Sequence, residues 1–280
     1  MKTKKKHKIW RWLLLLMLLV WIGWSLYCSK YRLEVTQYEY THDTIPERFD
    51  GYRIVQLSDL HAMEFGENNE VLLQCVRELE PDLITLTGDY IECAEDIPIT
   101  ENLVKALVEI APVTFNSGNH DWASGAALEL RESIENAGGT YLANTWFTET
   151  REDQSIIIAG VEDPNSYADM IRPDELMEQI EREHPDTFTI LMGHRNDWPI
   201  RYPELDADLI FCGHGHGGII RLPGVGGLLG TDHRFFPEYD GGMYDCGAYT
   251  MAVSRGLGNN FWVPRFLNQP EVLCLTLHNS

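Results

Sequence analysis

The sequence predicts an α/β protein carried behind a single N-terminal apolar helix. Three observations predict it: short apolar runs alternate with helix-period segments after Gly51, five of those runs stop at an Asp, Asn or His, and residues 12–28 contain no charge at all.

The apolar helix comes first. From Trp12 to Cys28 the chain reads WLLLLMLLVWIGWSLYC, about 25 Å of helix at 1.5 Å per residue against a hydrocarbon core of roughly 30 Å. Trp10, Trp24, Tyr27 and Tyr31 are placed to anchor its ends. A cleaved secretory signal is the alternative, yet the apolar stretch is long and no small-x-small cleavage site follows it. Tyr27 stands where a lipoprotein signal has a small residue, so lipidation of Cys28 is not expected. The segment therefore reads as a signal anchor in a cell membrane, single-pass, with the Lys-rich end cytoplasmic and the residues beyond about Tyr31 extracytoplasmic. Residues 1–31 form the basic leader and anchor, 32–50 a linker and first strand region with Tyr38 to Pro46 as the linker proper, and 51–280 the globular domain.

Charge divides along the same line. The first thirty residues hold seven basic groups and no acidic one, which leaves 15 Lys and Arg against 43 Asp and Glu in residues 31–280, a formal −28. Such a surface repels nucleic acid and anionic lipid at long range, with screening over roughly 10 Å leaving room for a locally positive pocket; a polyanionic substrate is disfavoured and no nucleic-acid partner is expected. The hydrophobic fraction of 44% and charged fraction of 23% fit one folded domain rather than a disordered chain. Six cysteines form no CxxC pair, which excludes a zinc ribbon or a disulfide scaffold.

The strands come in order: Ile54–Leu57, Leu83–Thr87, Val113–Asn116, Thr189–Met192 and Leu209–Cys212. Each is too short for a buried helix and rich in Ile, Leu, Val or Thr. Helical patterns lie between them, with Val71, Leu72, Cys75, Val76 and Leu79 on one face and Leu103, Leu107 and Ile110 on another. Thr250–Ser254 and Val272–Leu277 read as late strands completing a second sheet.

The residues at the end of each strand carry the chemistry. The five endings are Ser58-Asp59-Leu60-His61, Gly88-Asp89, Gly118-Asn119-His120-Asp121, Gly193-His194 and Gly213-His214-Gly215-His216. Carboxyl ends of strands line the binding crevice of an open α/β sheet, and a glycine before the side chain permits a sharp turn. Extended geometry would put Asp59 with His61, and His214 with His216, on one side of the chain. One strand-end Asp alone reads as a helix cap, and one buried His as a core residue; the ordered set of five does not.

That ordered set resembles the calcineurin-like metallophosphoesterases, with the match running from about Tyr52 to the end of the chain. The resemblance implies a four-layer α/β/β/α sandwich with two divalent metal ions at the strand ends. It implies that Asp59, His61 and His216 hold one ion, that Asn119, His194 and His214 hold the other, that Asp89 bridges them, and that His120 is the catalytic imidazole. The basic leader and apolar anchor look most like the membrane-associated bacterial branch, which includes enzymes hydrolysing UDP-diacylglucosamine. Two departures leave every ligand position filled: Arg195-Asn196-Asp197 comes after His194 where many relatives have a proline two residues on, and Gly215 stands where Thr is commoner.

Oxygen and imidazole donors without thiolate suit Mn²⁺, the first expectation, with Fe or Zn²⁺ as alternatives. Two such ions roughly 3.5–4 Å apart clamp a phosphoryl group and acidify a water for in-line attack. The expected substrate is a phosphate ester, lipid- or nucleotide-linked, cleaved by a phosphodiesterase or pyrophosphatase reaction; a phosphomonoesterase on small soluble phosphates and a non-catalytic scaffold are the alternatives. The Gly-rich stretch 217–242 reads either as a surface loop or as a substrate lid bearing His233, Phe235, Phe236 and Tyr239, with Arg221 and Arg234 as candidates for a second phosphate. Arg255 and Asn259 either approach the site or shape a turn.

Overall fold

Four of the five apolar runs form strands with the bounds read from the sequence, and the fifth begins one residue earlier, at Arg53. The computed structural model describes residues 2–167, 170–259 and 262–280, with side chains from residue 9 onward, so the lysines of the basic leader lie outside the described side chains. In chain order the first half comprises α1 (Lys2–Tyr31), β1 (Glu34–His42), β2 (Arg53–Leu57), α2 (Glu70–Glu78), β3 (Leu83–Thr87), α3 (Ile97–Leu107), β4 (Val113–Asn116), α4 (Asn119–Ala123), α5 (Ala127–Asn136) and β5 (Thr140–Tyr141). The second half comprises β6 (Thr145–Arg151), β7 (Gln154–Gly160), α6 (Pro173–Glu183), β8 (Thr189–Met192), α7 (Trp198–Arg201) and β9 (Leu209–Cys212). It ends with β10 (Arg221–Leu222), β11 (Gly226–Gly227), β12 (Gly242–Asp245), β13 (Thr250–Val253) and β14 (Glu271–Asn279).

Two six-stranded sheets result, ordered β1-β14-β2-β3-β4-β5 and β12-β13-β9-β8-β7-β6. Strands β2 to β5 run parallel, as do β7, β8, β9 and β13, so the ends of β2, β3, β4, β8 and β9 gather on one rim. Side-chain alternation along each strand sends neighbours to opposite faces and so builds three cores. Ile54, Leu83, Ile190, Phe211 and Leu273 fill the space between the sheets. Val55, Ile84 and Leu86 turn outward onto Leu72 and Val76 of α2, Leu103 and Leu107 of α3, and Leu130 of α5. On the other side Ile157, Leu191 and Ile210 pack on Leu176 and Ile180 of α6 and Trp198 of α7. Three cores between four layers make the α/β/β/α sandwich.

Two expectations are corrected. Val272–Leu277 belongs to β14, which inserts between β1 and β2 in the first sheet and not in the second. Tyr38 to Pro46 is mostly strand: β1 pairs in parallel with β14 over Glu34–His42, with Tyr38 and Tyr40 packed against the inter-sheet core. Helix α1 is continuous and its last turns rest on the body, with Ser25, Cys28 and Ser29 buried and the Asn268 N–H donating to Ser29 Oγ at 3.2 Å.

Candidate metal centre

The seven strand-end residues meet at the shared rim through an unusual backbone. Asp59, His61, Asp89, His214 and His216 all have positive φ, between 47° and 65°. Non-glycine residues in this region cost about 1–3 kcal/mol each and concentrate at functional sites. Asp59 and His61 therefore do not share a side through extended alternation, as expected from their spacing; each enters the cluster from its own left-handed turn. Of the glycines before the strand-end residues, only Gly88 itself needs positive φ, at 81°. The others make room: a Cβ on Gly213 would sit 2.0 Å from Ser58 Oγ and 2.3 Å from Asp59 Oδ2, and one on Gly118 would sit 2.2 Å from Asp89 Oδ1.

Two knots of donor atoms form. In one, His61 Nε2 lies 3.2 Å from His216 Nε2, and His216 Nε2 lies 3.5 Å from Asp59 Oδ1. In the other, His194 Nε2 lies 3.0 Å from Asp89 Oδ2 and 3.3 Å from His214 Nδ1. Asp89 Oδ2 is also 4.0 Å from His61 Nε2, which places this carboxylate between the knots. Asn119 opens α4 beside Gly118, and its Oδ1 is buried.

These donors fit divalent cations. Asp89 Oδ2 and Asn119 Oδ1 are buried with no hydrogen-bond partner, although His194 stands close to the former out of alignment; buried polar atoms are rarely left so. His61 Nδ1 faces Glu92 Oε1 at 2.5 Å and His194 Nδ1 faces the Thr87 carbonyl at 2.8 Å, contacts that fix the ring hydrogen on Nδ1 and leave Nε2 as the open donor. His216 differs, because its Nδ1 accepts from Arg265 Nη2 at 3.1 Å. No cysteine joins these groups among the described residues.

Charge is finely balanced without a cation. Burial opposes an imidazolium at His194, but the Asp89 carboxylate overrides it and pushes the pKa up to about 10. Burial and the charge of His194 press His214 down to about 3. Burial raises Asp59, while Asp89, against its own burial, is held far below the usual carboxylate range by His194 and His61.

His120 lies outside both knots. Its N–H donates to Asp89 Oδ1 at 2.7 Å, its Nδ1 meets Glu92 Oε2 at 3.1 Å, and its ring stands edge-on to His61 with centroids 5.1 Å apart. Glu92 thus grips both His61 and His120. Sequence reading missed it, although its position three residues after Asp89 was a usable signal. Asp121 was also missed: its buried carboxylate accepts the N–H groups of Asp89, Tyr90 and Gly118 at 2.8 Å and of Ile91 at 3.1 Å, and so shapes the turn that aims Asp89. In the segment after His194 that departs from the family pattern, Arg195 forms a two-pronged pair with Asp163 at 2.7 and 3.0 Å, and Asn196, two residues on from the histidine, donates to the Tyr239 carbonyl at 2.6 Å.

The Gly-rich stretch borders the site. A cavity of about 390 Å³ is lined by His214, Arg195, Phe235, Phe236 and Tyr239; a second, of about 230 Å³, is lined by His194, Arg195, Tyr167 and Trp198. Arg221 is used inside the loop, bonded to the Gly217 carbonyl at 3.0 Å and paired with Asp240 at 3.3 Å, and the exposed Arg234 pairs with Asp232 at 3.4 Å. Arg255 pairs with Glu271 at 2.8 Å and Glu34 at 3.1 Å, and Asn259 donates to the Val263 carbonyl at 3.1 Å, so both shape the chain.

A four-layer sandwich with clustered Asp and His side chains on its rim defines a metal-dependent hydrolase of phosphoric esters. The calcineurin-like phosphoesterase family matches residues 52–218. The chain is 30% identical over 267 residues to the metallophosphoesterase YkuE of Bacillus subtilis, covering 92% of this chain and 90% of that one. It is 27% identical over 240 residues to the phosphodiesterase YaeI of Escherichia coli (81% and 82% covered) and 24% identical over 318 residues to the UDP-2,3-diacylglucosamine pyrophosphatase LpxG of Chlamydia trachomatis (92% and 92%). This chain belongs to the calcineurin-like phosphoesterase family.

Proposed function

We propose that this protein is a membrane-anchored phosphodiesterase or pyrophosphatase. Asp59, His61 and His216 hold one divalent cation, Asn119, His194 and His214 the other, and Asp89 serves both; Mn²⁺ suits the oxygen and imidazole donors, with Fe or Zn²⁺ as alternatives. Bound cations there supply Lewis acidity, withdrawing charge from a phosphoryl group and lowering the pKa of a coordinated water. The chain's own residues do the rest. Glu92 holds the His120 ring through Nδ1, and the imidazole carries the proton that the departing ester oxygen takes up. Asp121 keeps the Asp89 turn rigid, and Arg195, held by Asp163, stands between the two cavities.

Those two cavities carry the choice of a diester over a monoester. They meet at Arg195, one reaching His194 and the other His214, and a phosphorus with two substituents uses both. Anchoring rests on the Ile9–Tyr31 segment of α1, which is apolar and long enough to cross a bilayer, with the basic leader cytoplasmic and the catalytic body outside. A substrate linked to a lipid or nucleotide of the cell envelope fits that placement, as the activity for which LpxG is named does. The test compares bis(p-nitrophenyl) phosphate with p-nitrophenyl phosphate after Mn²⁺ loading. Faster turnover of the diester is expected; faster turnover of the monoester would reverse the assignment.

A further inference from the structure

Helix α1 touches the folded body well before its end. Trp21 meets Phe266 edge-on with ring centroids 5.6 Å apart, and from Trp21 to Tyr31 is about 15 Å of helix. A hydrocarbon core of roughly 30 Å takes about twenty residues. Counting twenty back from Trp21 draws the whole cluster Lys2, Lys4, Lys5, Lys6, Lys8 and Arg11 into that core, which excludes charge; counting back from Tyr31 takes in residues 12–31, with Arg11 just outside one end and Lys30 just inside the other, where a long basic side chain reaches the interface. The bilayer therefore covers Trp21, and with it the part of the body that Trp21 touches. The neighbouring surface suits lipid: Trp262 is 82% exposed, and the β10–β11 hairpin, bonded to the Phe266 carbonyl through the Arg221 N–H at 3.0 Å, carries Val225 at its tip, 64% exposed.

Beside this contact a groove of about 360 Å³ separates α1 from the body. Leu26, Ser29 and Lys30 form one wall, and Met63, Leu257 and Arg265 face them. Arg265 is only 4% exposed. Its Nε and Nη2 donate to the Gly258 carbonyl at 2.9 and 2.7 Å, while Nη1 has no hydrogen-bond partner among the described residues. Glu271 is already paired with Arg255, and Asp59 with His216. A buried guanidinium with an unmet donor calls for an anion, because it cannot shed its charge. In a body of formal charge −28, Arg265 and Lys30 form a cationic lining on the face that meets the membrane.

We infer that this groove is a phosphate subsite for a membrane lipid, its phosphate drawn by Lys30 at the mouth and by the Arg265 guanidinium in the wall, whose Nη1, closed off in this structure, turns toward the groove to donate. Its acyl chain lies against Leu26, Met63 and Leu257 and runs into the leaflet beside α1. The inference rests on the anchored reading of α1 and deepens the proposed reaction, since Arg265 is also bonded to His216: a lipid-borne phosphate enters from the leaflet, one side chain from the catalytic rim.

The test uses the full chain in phosphatidylcholine nanodiscs containing phosphatidic acid with a diazirine at the glycerol end of one acyl chain. Illumination is expected to label peptides containing Met63 or Leu257, with competition by unlabelled phosphatidic acid and none by diacylglycerol. Arg265→Gln should cut that labelling at least about tenfold, the loss of one charge-assisted hydrogen bond, and Arg265→Lys should restore most of it. If Arg265→Gln fails to fold, Leu26→Trp, which fills the groove, should abolish the label instead. Labelling confined to α1, or unchanged in the folded variants, overturns the subsite; competition by inorganic phosphate as strong as by phosphatidic acid overturns the lipid assignment. A chain that does not enter nanodiscs defeats the anchor and this inference together. Absent turnover of bis(p-nitrophenyl) phosphate with labelling intact defeats the reaction alone.

Discussion

Five side chains at the rim hold left-handed backbone, which Asp and His adopt more readily than most non-glycine residues, and their neighbours keep them there. Glu92 links two of the imidazoles, since one carboxylate serves His61 on one oxygen and His120 on the other. Glu92→Gln should leave the fold intact and lower metal affinity or turnover about 10–100-fold, the range seen when an outer hydrogen-bond partner of a ligand is lost; metal content and kcat, measured together, separate the two. His120→Asn should retain metal and lower kcat roughly 10²–10⁴-fold, the usual reach of a general acid, with unchanged turnover ending that role. Glycine positions were legible in the sequence but their reason was not. Gly213 and Gly118 are needed because Ser58, Asp59 and Asp89 from other segments crowd them, and such a neighbour is set by tertiary contact.

At the scale of elements, the buried central strands declared themselves because both their faces are apolar. Leu83–Thr87 and Leu209–Cys212 are buried throughout and flanked by turn residues, so run length alone located them. Strand β1 was legible only as a strand region somewhere within residues 32–50, its extent hidden because Glu34–His42 alternates partly buried with exposed positions at a sheet edge and pairs with a segment more than two hundred residues away. The placement of β14 was hidden for the same reason: its composition says strand, while its sheet is decided by a partner that no local pattern names. The turn from β8 into α7 gives an element-level test. A Cβ on Gly193 would stand 2.2 Å from Trp198 Cζ2 in the outer core, so Gly193→Ala should destabilise by about 1–3 kcal/mol as an overpacking change. Thermal melting would show it, and an unshifted midpoint would mean that α7 yields freely.

Across the whole molecule, the cations and the fold are expected to support one another. Buried Asp89 Oδ2 and Asn119 Oδ1 lack partners, and a ligand that binds only the native state adds stability by mass action, about 2.7 kcal/mol at a hundredfold excess over Kd. For a domain of this size that corresponds to a midpoint roughly 5–10 °C higher with Mn²⁺ than after chelation; equal midpoints would show that the rim does not retain metal.

The order β1-β14-β2 has a consequence for biosynthesis. During translation β1 and β2 emerge early with an empty lane between them, and the strand that fills it is residues 271–279. At about 5–20 residues per second the lane stands open for roughly ten seconds or more. For that time the nascent polypeptide exposes two unpaired strand edges, and a chaperone that shields them until residues 271–279 emerge would have a defined target.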